Sequence, residues 1–419
     1  MNNFWKQIFS YGFLRIIGMG LSVIYVLILA KMLDANSLGV YYLTMTMMSF
    51  LMVVSRLGFD TLILKTTSIL ISERNLIALK KLQGYVSKKI LLLSILVIIT
   101  TFSIANHIAE VFFDGANNYG LLIVSSTLYF YNMVFIYSET LKGYNCLNLS
   151  VCLPNVLFPA LNLIALSVLF PFFGEISVFY AVSISVIIVY LISLIIVKNQ
   201  FEKYTHTPNI KNEHQPLAIP YSFYFIALSN YIFAFIDTLT LGVFSSNADV
   251  GIYSVLLRLV LPFSVLLIII NNVFSRKFSI WYENKQLGKC IDTYKLLIKY
   301  SLLFATVYFA IILNFGDDML LFFGNDYLMG KTALIIISFG YFILLVTGPS
   351  AAVLMMCGHE KQYKNIVVCT GILGVMLSCI LTYLFGLIGA AISTTISLII
   401  KNLVSFYLAS TCLGVKFRG

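Results

Sequence analysis

Residues 176–197, ISVFYAVSISVIIVYLISLIIV, form an unbroken run without a single charged side chain. A helix needs roughly 20 apolar residues to cross the hydrocarbon core of a bilayer, so this stretch is long enough for one span. Similar runs recur along the whole chain, and we predict twelve spans. They lie near residues 8–30, 41–63, 89–106, 119–140, 151–170, 175–197, 218–244, 251–274, 296–315, 328–349, 364–385 and 387–412. This pattern predicts an all-α polytopic membrane protein.

The composition of the whole chain supports this class. Of the 419 residues, 60% are hydrophobic and only 11% are charged, which is less than half of the charged share of about 25% in soluble domains. Twelve spans leave little chain for a soluble domain. The long apolar runs also differ from the short alternating segments of an outer-membrane barrel. The composition therefore disfavours a soluble enzyme, a secreted disulfide scaffold and a disordered chain.

The basic residues are divided unevenly between the two sides of the membrane. If the N-terminus is cytoplasmic, most of the 27 Lys and Arg side chains fall in cytoplasmic loops, and only Lys31 and Lys331 fall in outside loops. Cytoplasmic loops of membrane proteins carry such an excess of Lys and Arg. We therefore predict that both termini are cytoplasmic. The net charge of +10 follows from this topology and does not require a nucleic-acid partner.

The hydrophilic segment before the third run has a helical pattern of its own. Leu76, Leu79, Leu82 and Val86 recur at helical spacing in this segment. An amphipathic segment beside a span is typical of a helix that lies along the membrane surface. We predict such a surface helix over residues 73–89.

The sequence contains no recognisable metal or nucleotide motif. Its seven cysteines lie in apolar runs or in predicted cytoplasmic loops, which favours reduced thiols, and their spacing matches neither a zinc site nor a disulfide framework. We find no Gly-rich phosphate loop and no hydrolase or metalloprotease motif. Any pumping would therefore depend on an ion gradient, on a substrate gradient or on another protein.

The two halves of the chain contain related segments. Leu29–Tyr41 follows the first predicted span and Leu241–Tyr253 follows the seventh, and at an offset of 212 they share Leu, Gly and Tyr. A second echo pairs Lys142-Gly143, after the fourth span, with Cys357-Gly358, after the tenth. Both echoes occupy equivalent places in a six-span half, so we predict a duplication.

The midpoint of the chain is its most linker-like part. Pro208 and Pro216 lie there among Thr, His and Asn, a composition typical of a connecting segment. We predict an N-terminal six-helix lobe over residues 1–205 and a C-terminal six-helix lobe over residues 206–419. Repeats of this kind are related by a pseudo-two-fold axis along the membrane normal, with a central cavity between them.

Three cations lie inside predicted spans: Arg15, Arg258 and Lys401. Intramembrane charges are costly and normally face the protein interior or a water-filled cavity. No acidic residue lies one turn away on the same helix to neutralise any of them. We therefore predict that they line a hydrated cavity, whereas most Ser, Thr and Tyr side chains on the same faces make ordinary interhelical hydrogen bonds.

Four further charged residues admit more than one interpretation. Arg56 and Asp60 lie towards the cytoplasmic end of the second span, where snorkelling or a local i,i+4 ion pair explains them as well as a binding role does. Glu139 lies near another cytoplasmic span end. Asp237 lies deep in the seventh span and is either a proton or cation site or the ion-pair partner of Arg15 or Arg258.

Several segments resemble one family of bacterial transporters. The residues around the seventh and eighth spans resemble the signature of bacterial polysaccharide transporters in that region. The similar segments are Phe235–Gly242, Ala248–Val255 with Arg258, Leu38–Tyr41, Gly58–Asp60, Lys142-Gly143, Cys357-Gly358 and Gly386–Ser393. By length and twelve-span plan, the whole chain looks like an O-antigen or capsule-repeat flippase of the multidrug/oligosaccharidyl-lipid/polysaccharide superfamily.

The resemblance implies a transporter and not an enzyme. Such a protein moves undecaprenyl-diphosphate-linked oligosaccharide from the cytoplasmic to the periplasmic face of the bacterial inner membrane by alternating access. The implied partners are this lipid-linked substrate, membrane lipids and other polysaccharide assembly proteins, with no nucleic acid. The substrate is anionic and bulky, so it cannot cross roughly 30 Å of hydrocarbon unaided.

With this substrate, the candidate residues acquire expected roles. Arg15, Arg258 and Lys401 would neutralise the diphosphate, with arginine offering bidentate hydrogen bonds. Arg56 is a further substrate-binding candidate, and Tyr25 and Tyr129 would stack on sugar rings. No metal or organic cofactor is expected, but H⁺ or Na⁺ is a candidate coupling ion. The residues considered for ion coupling or ion pairing are Asp237, Asp60 and Glu139.

Two other functions remain open on the sequence alone. A drug or cation antiporter of the same superfamily would favour acidic residues in the cavity, whereas here cations outnumber acids within the spans. A membrane-embedded repeat-unit polymerase would usually carry a large outside loop with catalytic residues. The longest predicted outside segments, 107–118 and 316–327, are short and contain no Arg.

Overall fold

A computed structural model of the protein describes residues 2–72, 75–113, 119–205, 221–283 and 285–414. Within these ranges the regular secondary structure is helical, and no strand is present. The chain forms two compact units. Unit 1 contains Met1–Met32 and Val40–Tyr231, and unit 2 contains Leu33–Gly39 and Ile232–Gly419. The predicted linker with Pro208 and Pro216 lies outside the described residues, and the predicted lobe boundary after residue 205 stays a prediction.

Most of the chain consists of long helices joined by short turns. The helices as far as residue 205 are α1 (Asn2–Met32), α2 (Ala35–Arg56), α3 (Phe59–Ser72), α4 (Leu76–Phe112), α5 (Tyr119–Ser126), α6 (Leu128–Gly143), α7 (Leu147–Cys152), α8 (Phe158–Phe173) and α9 (Ser177–Thr205). The later helices are α10 (Tyr221–Phe244), α11 (Asn247–Leu259), α12 (Leu261–Glu283), α13 (Leu287–Leu321), α14 (Lys331–Val346), α15 (Ser350–Met356) and α16 (Glu360–Leu413).

The helices have the length and composition of membrane spans. In the described ranges seven are long and apolar enough to cross a bilayer, or up to nine if the bent pairs α5–α6 and α11–α12 each form one span. Two of the seven, 57 and 53 residues long, exceed twice the roughly 20 residues that one span needs. Gly174 and Gly386, both with positive φ, interrupt these two. The chain is therefore an all-α polytopic membrane protein, and the count of twelve spans stays a prediction.

The predicted second span, 41–63, is wrong at its C-terminal end. Helix α2 stops at Arg56, and α3 begins at Phe59. Between them Leu57 and Gly58 have φ angles of 47° and 75°, a region that glycine enters without steric cost. Apolar residues lie on both sides of this break, which is why the hydropathy pattern of the sequence conceals it.

The prediction of a separate surface helix over residues 73–89 is also wrong. One continuous helix, α4, runs for 37 residues from Leu76 to Phe112, about 55 Å at 1.5 Å per residue. The apolar side chains that suggested a membrane-facing stripe, including Leu79, Leu82 and Val86, are buried in the core of unit 1. The helical spacing is real, but the stripe packs against protein.

The two repeated turns pack against each other within unit 2. A Cβ atom added to Gly39 would lie 1.6 Å from the backbone oxygen of Asn247, and one added to Gly251 would lie 2.3 Å from that of Ala35. The offset of 212 that relates Gly39 to Gly251 also relates Ala35 to Asn247. The contact is therefore reciprocal, as a pseudo-two-fold relation requires. Small residues let the helix backbones approach this closely.

The long helices α4 and α13 repeat one burial pattern, which extends the duplication beyond the turns. At an offset of 211 their first residues coincide, and so do most of their buried positions. The buried pairs are Leu79 and Cys290, Val86 and Leu297, Ile90 and Ser301, Ser94 and Ala305, Thr101 and Ile312, Ala105 and Gly316, and Ala109 and Leu320. Burial is thus repeated even where the residue types differ.

Candidate substrate and ion sites

Arg15 lies in the middle of α1 with part of its guanidinium buried and unsatisfied. The guanidinium carbon is 5.6 Å from the centre of the Tyr11 ring. Its Nε atom is buried and donates no hydrogen bond within the described part of the chain. A buried donor without an acceptor costs about 1–3 kcal/mol, and more for a charged group. An anionic ligand at this position would remove that cost.

The neighbouring helix is irregular where α1 approaches it. Pro154, which has no N–H to donate, lies in a π-helix, Leu153–Leu157, between α7 and α8. The π-helix is a rare form that recurs at functional sites. The Asn155 amide donates to the Val151 carbonyl at 3.1 Å. A Cβ atom on Gly18 would lie 2.4 Å from the Asn155 backbone oxygen, so Gly18 lets α1 pack closely one turn beyond Arg15.

Tyr25 belongs to a buried tyrosine cluster in unit 1. Its hydroxyl donates to the Tyr41 hydroxyl at 3.2 Å, and Asn162 also hydrogen-bonds to it. The Tyr41 ring makes edge contacts with the rings of Tyr25 and Tyr42. Because Tyr25 is only 7% exposed, its ring packs against these neighbours. Stacking of Tyr25 on a sugar stays a prediction, and it requires the cluster to open.

Tyr129 lies in a different group of side chains. Its hydroxyl is 3.0 Å from the Ser87 hydroxyl of α4, and its ring contacts Phe130 and Tyr190. These contacts hold it between α4, α6 and α9. These contacts do not bring Tyr129 together with Arg15 or Tyr25, and its sugar-binding role stays a prediction.

Arg56 ends α2 inside a cluster of charged and aromatic side chains. Its guanidinium is 3.9 Å from the Asp60 carboxylate across the break between α2 and α3, and its Nε donates to the Met52 carbonyl at 3.3 Å. The same guanidinium lies 4.8 Å from the centre of the Phe135 ring. Glu139 acts on Arg56 electrostatically and accepts a hydrogen bond from Lys142. The local ion pair that the spacing permits is therefore present.

Asp237 is the most enclosed acidic residue among these candidates, only 9% exposed. Its carboxylate accepts hydrogen bonds from the Ser393 hydroxyl and, at 2.6 Å, from the Thr394 hydroxyl. The Thr394 oxygen is also 2.6 Å from the Tyr253 hydroxyl. Both α16 hydroxyls also contact the Ala390 carbonyl, at 2.9 and 3.0 Å. Hydroxyl groups therefore surround the carboxylate.

A second set of hydroxyls continues this polar core. The Thr240 hydroxyl lies 2.8 Å from that of Ser378 and 3.3 Å from that of Thr382, and it donates to the backbone oxygen of Asp237 at 3.1 Å. Residues of α10, α11 and both parts of α16 thus meet around one carboxylate. Sequence reasoning identified Asp237 but missed Ser378, Thr382 and Ser393, although the first two are four residues apart within an apolar run.

Arg258 and Lys401 also belong to unit 2. Arg258 lies in the last turn of α11, where the negative end of the helix dipole favours a cation. Lys401 lies in the second part of α16, and both side chains are half-buried and interact with their surroundings. Unit 2 therefore holds Arg258, Lys401 and Asp237, and unit 1 holds the other candidates. That the two sets line one central cavity stays a prediction.

The fold and these residues define a multi-pass helical membrane protein with ionisable side chains inside its spans. The chain belongs to the family described as polysaccharide biosynthesis protein, which matches residues 4–276. It is 24% identical over 218 residues to the probable low-salt glycan biosynthesis flippase Agl15 of Haloferax volcanii. That match covers 50% of this chain and 45% of the relative, so the chain aligns with about half the length of the curated relative.

Solved transporter structures share the fold over nearly the full chain. The lipid II flippase MurJ in its inward closed conformation gives a TM-score of 0.76 at 16% identity, over 95% of this chain and 87% of that one. A multidrug resistance MATE family transporter of the MOP superfamily, in its inward-facing conformation, gives 0.72 at 15% identity, over 96% and 98%. At these identities the comparisons establish the two-lobe transporter fold alone.

Proposed function

We propose that this protein moves an oligosaccharide linked to a lipid diphosphate, such as an O-antigen or capsule repeat unit, across a membrane as a transporter without enzymatic chemistry. The observation that carries the proposal is the buried, unsatisfied Nε donor of Arg15. A guanidinium inside a span is expensive unless an acceptor reaches it. A diphosphate supplies such acceptors in bidentate geometry. Membership of the polysaccharide biosynthesis family supports this substrate class.

The remaining candidate cations extend the same chemistry. Arg258 and Lys401 would neutralise further diphosphate charge from unit 2, while the lipid tail stays in the bilayer. Arg56 already has Asp60 and Phe135 as partners, so we assign it a smaller share of substrate binding than Arg15. The substrate is released on the opposite face when the transporter exchanges an inward-open for an outward-open state.

We further propose that Asp237 binds the coupling ion, H⁺ or Na⁺. A carboxylate surrounded by the hydroxyls of Ser393, Thr394 and Tyr253 offers oxygen ligands, which hard cations prefer. The same hydroxyls would instead satisfy a protonated carboxyl, since each can accept as well as donate. Ion binding would neutralise Asp237, and that change of charge biases one state of the transporter over the other.

The proposed location is the bacterial inner membrane, with both termini in the cytoplasm. We expect single cysteines that replace exposed Glu175 or Asp326 in a Cys-free background to react with an impermeant maleimide added to intact cells. Cysteines that replace exposed Glu202 or Gln286 should react only after the cells are opened, because the excess of Lys and Arg favours a cytoplasmic position for these loops. Labelling of the second pair in intact cells would reverse the proposed orientation.

Reconstituted protein tests the transport proposal directly. We expect vesicles that contain the protein to expose a fluorescent lipid-diphosphate oligosaccharide, inserted in the inner leaflet, to an impermeant quencher faster than protein-free vesicles do. A fluorescent lipid with a neutral head group serves as the control and should stay protected. Protection of the oligosaccharide lipid, together with uptake of an organic cation by the same vesicles, would replace the proposal with cation antiport.

A further inference from the structure

The first part of α4 carries a dense basic face that none of the roles above uses. Lys80, Lys81, Lys88 and Lys89 are all exposed, and this part of the helix contains no acidic residue. The Lys89 amine lies 5.8 Å from the centre of the Tyr85 ring, which is itself 36% exposed. These five residues form what we call the α4 basic face.

The same side of α4 becomes apolar immediately beyond the basic face. Leu92, Ile95 and Ile99 follow Lys88 at spacings of four, three and four, and they are 64%, 46% and 60% exposed. Exposed Leu and Ile on a spanning helix contact hydrocarbon, and lysines just outside extend their amines to the head groups. Lys88 therefore lies at head-group depth, and Lys81 lies about 10 Å further out at 1.5 Å per residue.

The duplication places a second basic segment at the start of α13. Lys289, Lys295 and Lys299 are exposed, and the helix then presents Tyr300 and apolar residues to its surroundings. Two features make this second basic segment less favourable for an anion than the α4 basic face. Asp292 is exposed between the lysines, and the Lys289 amine donates to the Gln286 side chain at 3.1 Å.

We propose that the α4 basic face binds the phosphate head groups of anionic phospholipids, and that the start of α13 is a weaker copy of this site. Each lysine near an anionic membrane surface strengthens attraction about fivefold. Tyr85 lies at the depth where amphipathic aromatic rings are enriched. The site is separate from the proposed transport path and depends neither on the transported substrate nor on the coupling ion.

Lipid titration of the purified full-length protein in detergent tests the proposal. The probes are phosphatidylglycerol and phosphatidylcholine with identical acyl chains, and bound lipid is counted by native mass spectrometry. We expect the Lys80→Gln/Lys81→Gln and Lys88→Gln/Lys89→Gln variants each to bind phosphatidylglycerol on the order of 25-fold more weakly, from two lysines at fivefold each. Phosphatidylcholine binding should not change.

Matched variants separate charge from folding and from nonspecific adsorption. The corresponding Lys→Arg pairs should retain binding, Lys289→Gln/Lys295→Gln should produce a smaller loss, and Lys31→Gln/Lys331→Gln should produce none. Two α4 pairs are used so that either one decides the result if the other does not purify. Unchanged phosphatidylglycerol binding in a folded α4 variant would overturn the proposal and leave these lysines as determinants of membrane orientation only.

Discussion

Replacement of Arg15 by Ala is expected to reduce transport of the lipid-linked oligosaccharide about 100-fold. The guanidinium is the proposed partner of the diphosphate, and charge-assisted hydrogen bonds contribute about 1.5–3 kcal/mol each. A loss of about 3 kcal/mol corresponds to roughly 100-fold in affinity. Because the Nε donor has no acceptor within the described part of the chain, its removal leaves no acceptor there without the hydrogen bond of this atom. The protein should therefore reach the membrane in normal amounts, as measured by immunoblot beside the vesicle transport assay.

Two further variants identify what Arg15 contributes. Arg15→Lys keeps the charge but cannot form the bidentate contact, so partial transport would indicate that charge dominates, and a loss close to that of Arg15→Ala would indicate a directed contact. Lys31→Ala, at the exposed C-terminal end of the same helix, is the matched control and should transport normally. Normal transport by Arg15→Ala, or failure of that variant to accumulate, would remove Arg15 from the substrate site.

The apolar pattern predicted the class of fold, but not where the helices break. Run length and composition determine that the chain is polytopic, because a segment without charges has few alternatives to a span. Breaks depend on single backbone positions instead. Gly58 permits a positive φ inside a predicted span, and Gly386 separates the parts of α16. The prediction of a surface helix over residues 73–89 failed for a related reason. A helical spacing of apolar residues indicates that one face of the helix is buried, but it does not show whether lipid or protein buries that face.

The sequence predicted the charged members of the candidate sites but not their neutral partners. Charged residues inside spans are conspicuous in a sequence because they are expensive there, so Arg15 and Asp237 could be singled out directly. The partners of Asp237 are neutral hydroxyls such as those of Ser393 and Ser378, which are common in packed membrane helices and carry no signal alone. Only the fold brings α10 and both parts of α16 together around Asp237.

Replacement of Asp237 by Asn is expected to abolish the response of transport to an imposed ion gradient while exchange of substrate continues. The two side chains have nearly the same shape, and the Asn amide can both accept from and donate to the hydroxyls of Ser393 and Thr394. The fold should therefore persist. The amide has no charge to bind Na⁺ and does not titrate, so neither ion can drive the conformational change. Transport into vesicles with an imposed pH or Na⁺ gradient, compared with counterflow without one, measures the difference.

The alternative role of Asp237 as an ion-pair partner predicts a different outcome for the same variant. Removal of one member of a buried pair leaves an uncompensated charge and costs about 3–5 kcal/mol, which would lower the amount of protein in the membrane. Asp249→Asn, in the first turn of α11 where Ser245 donates to the carboxylate, is the matched control and should keep the gradient response. A stable Asp237→Asn protein that still responds to both gradients would eliminate the coupling role. If it is stable and responds to neither, Asp237 binds the ion; loss of the response to one gradient alone would identify that ion as the one coupled through this carboxylate.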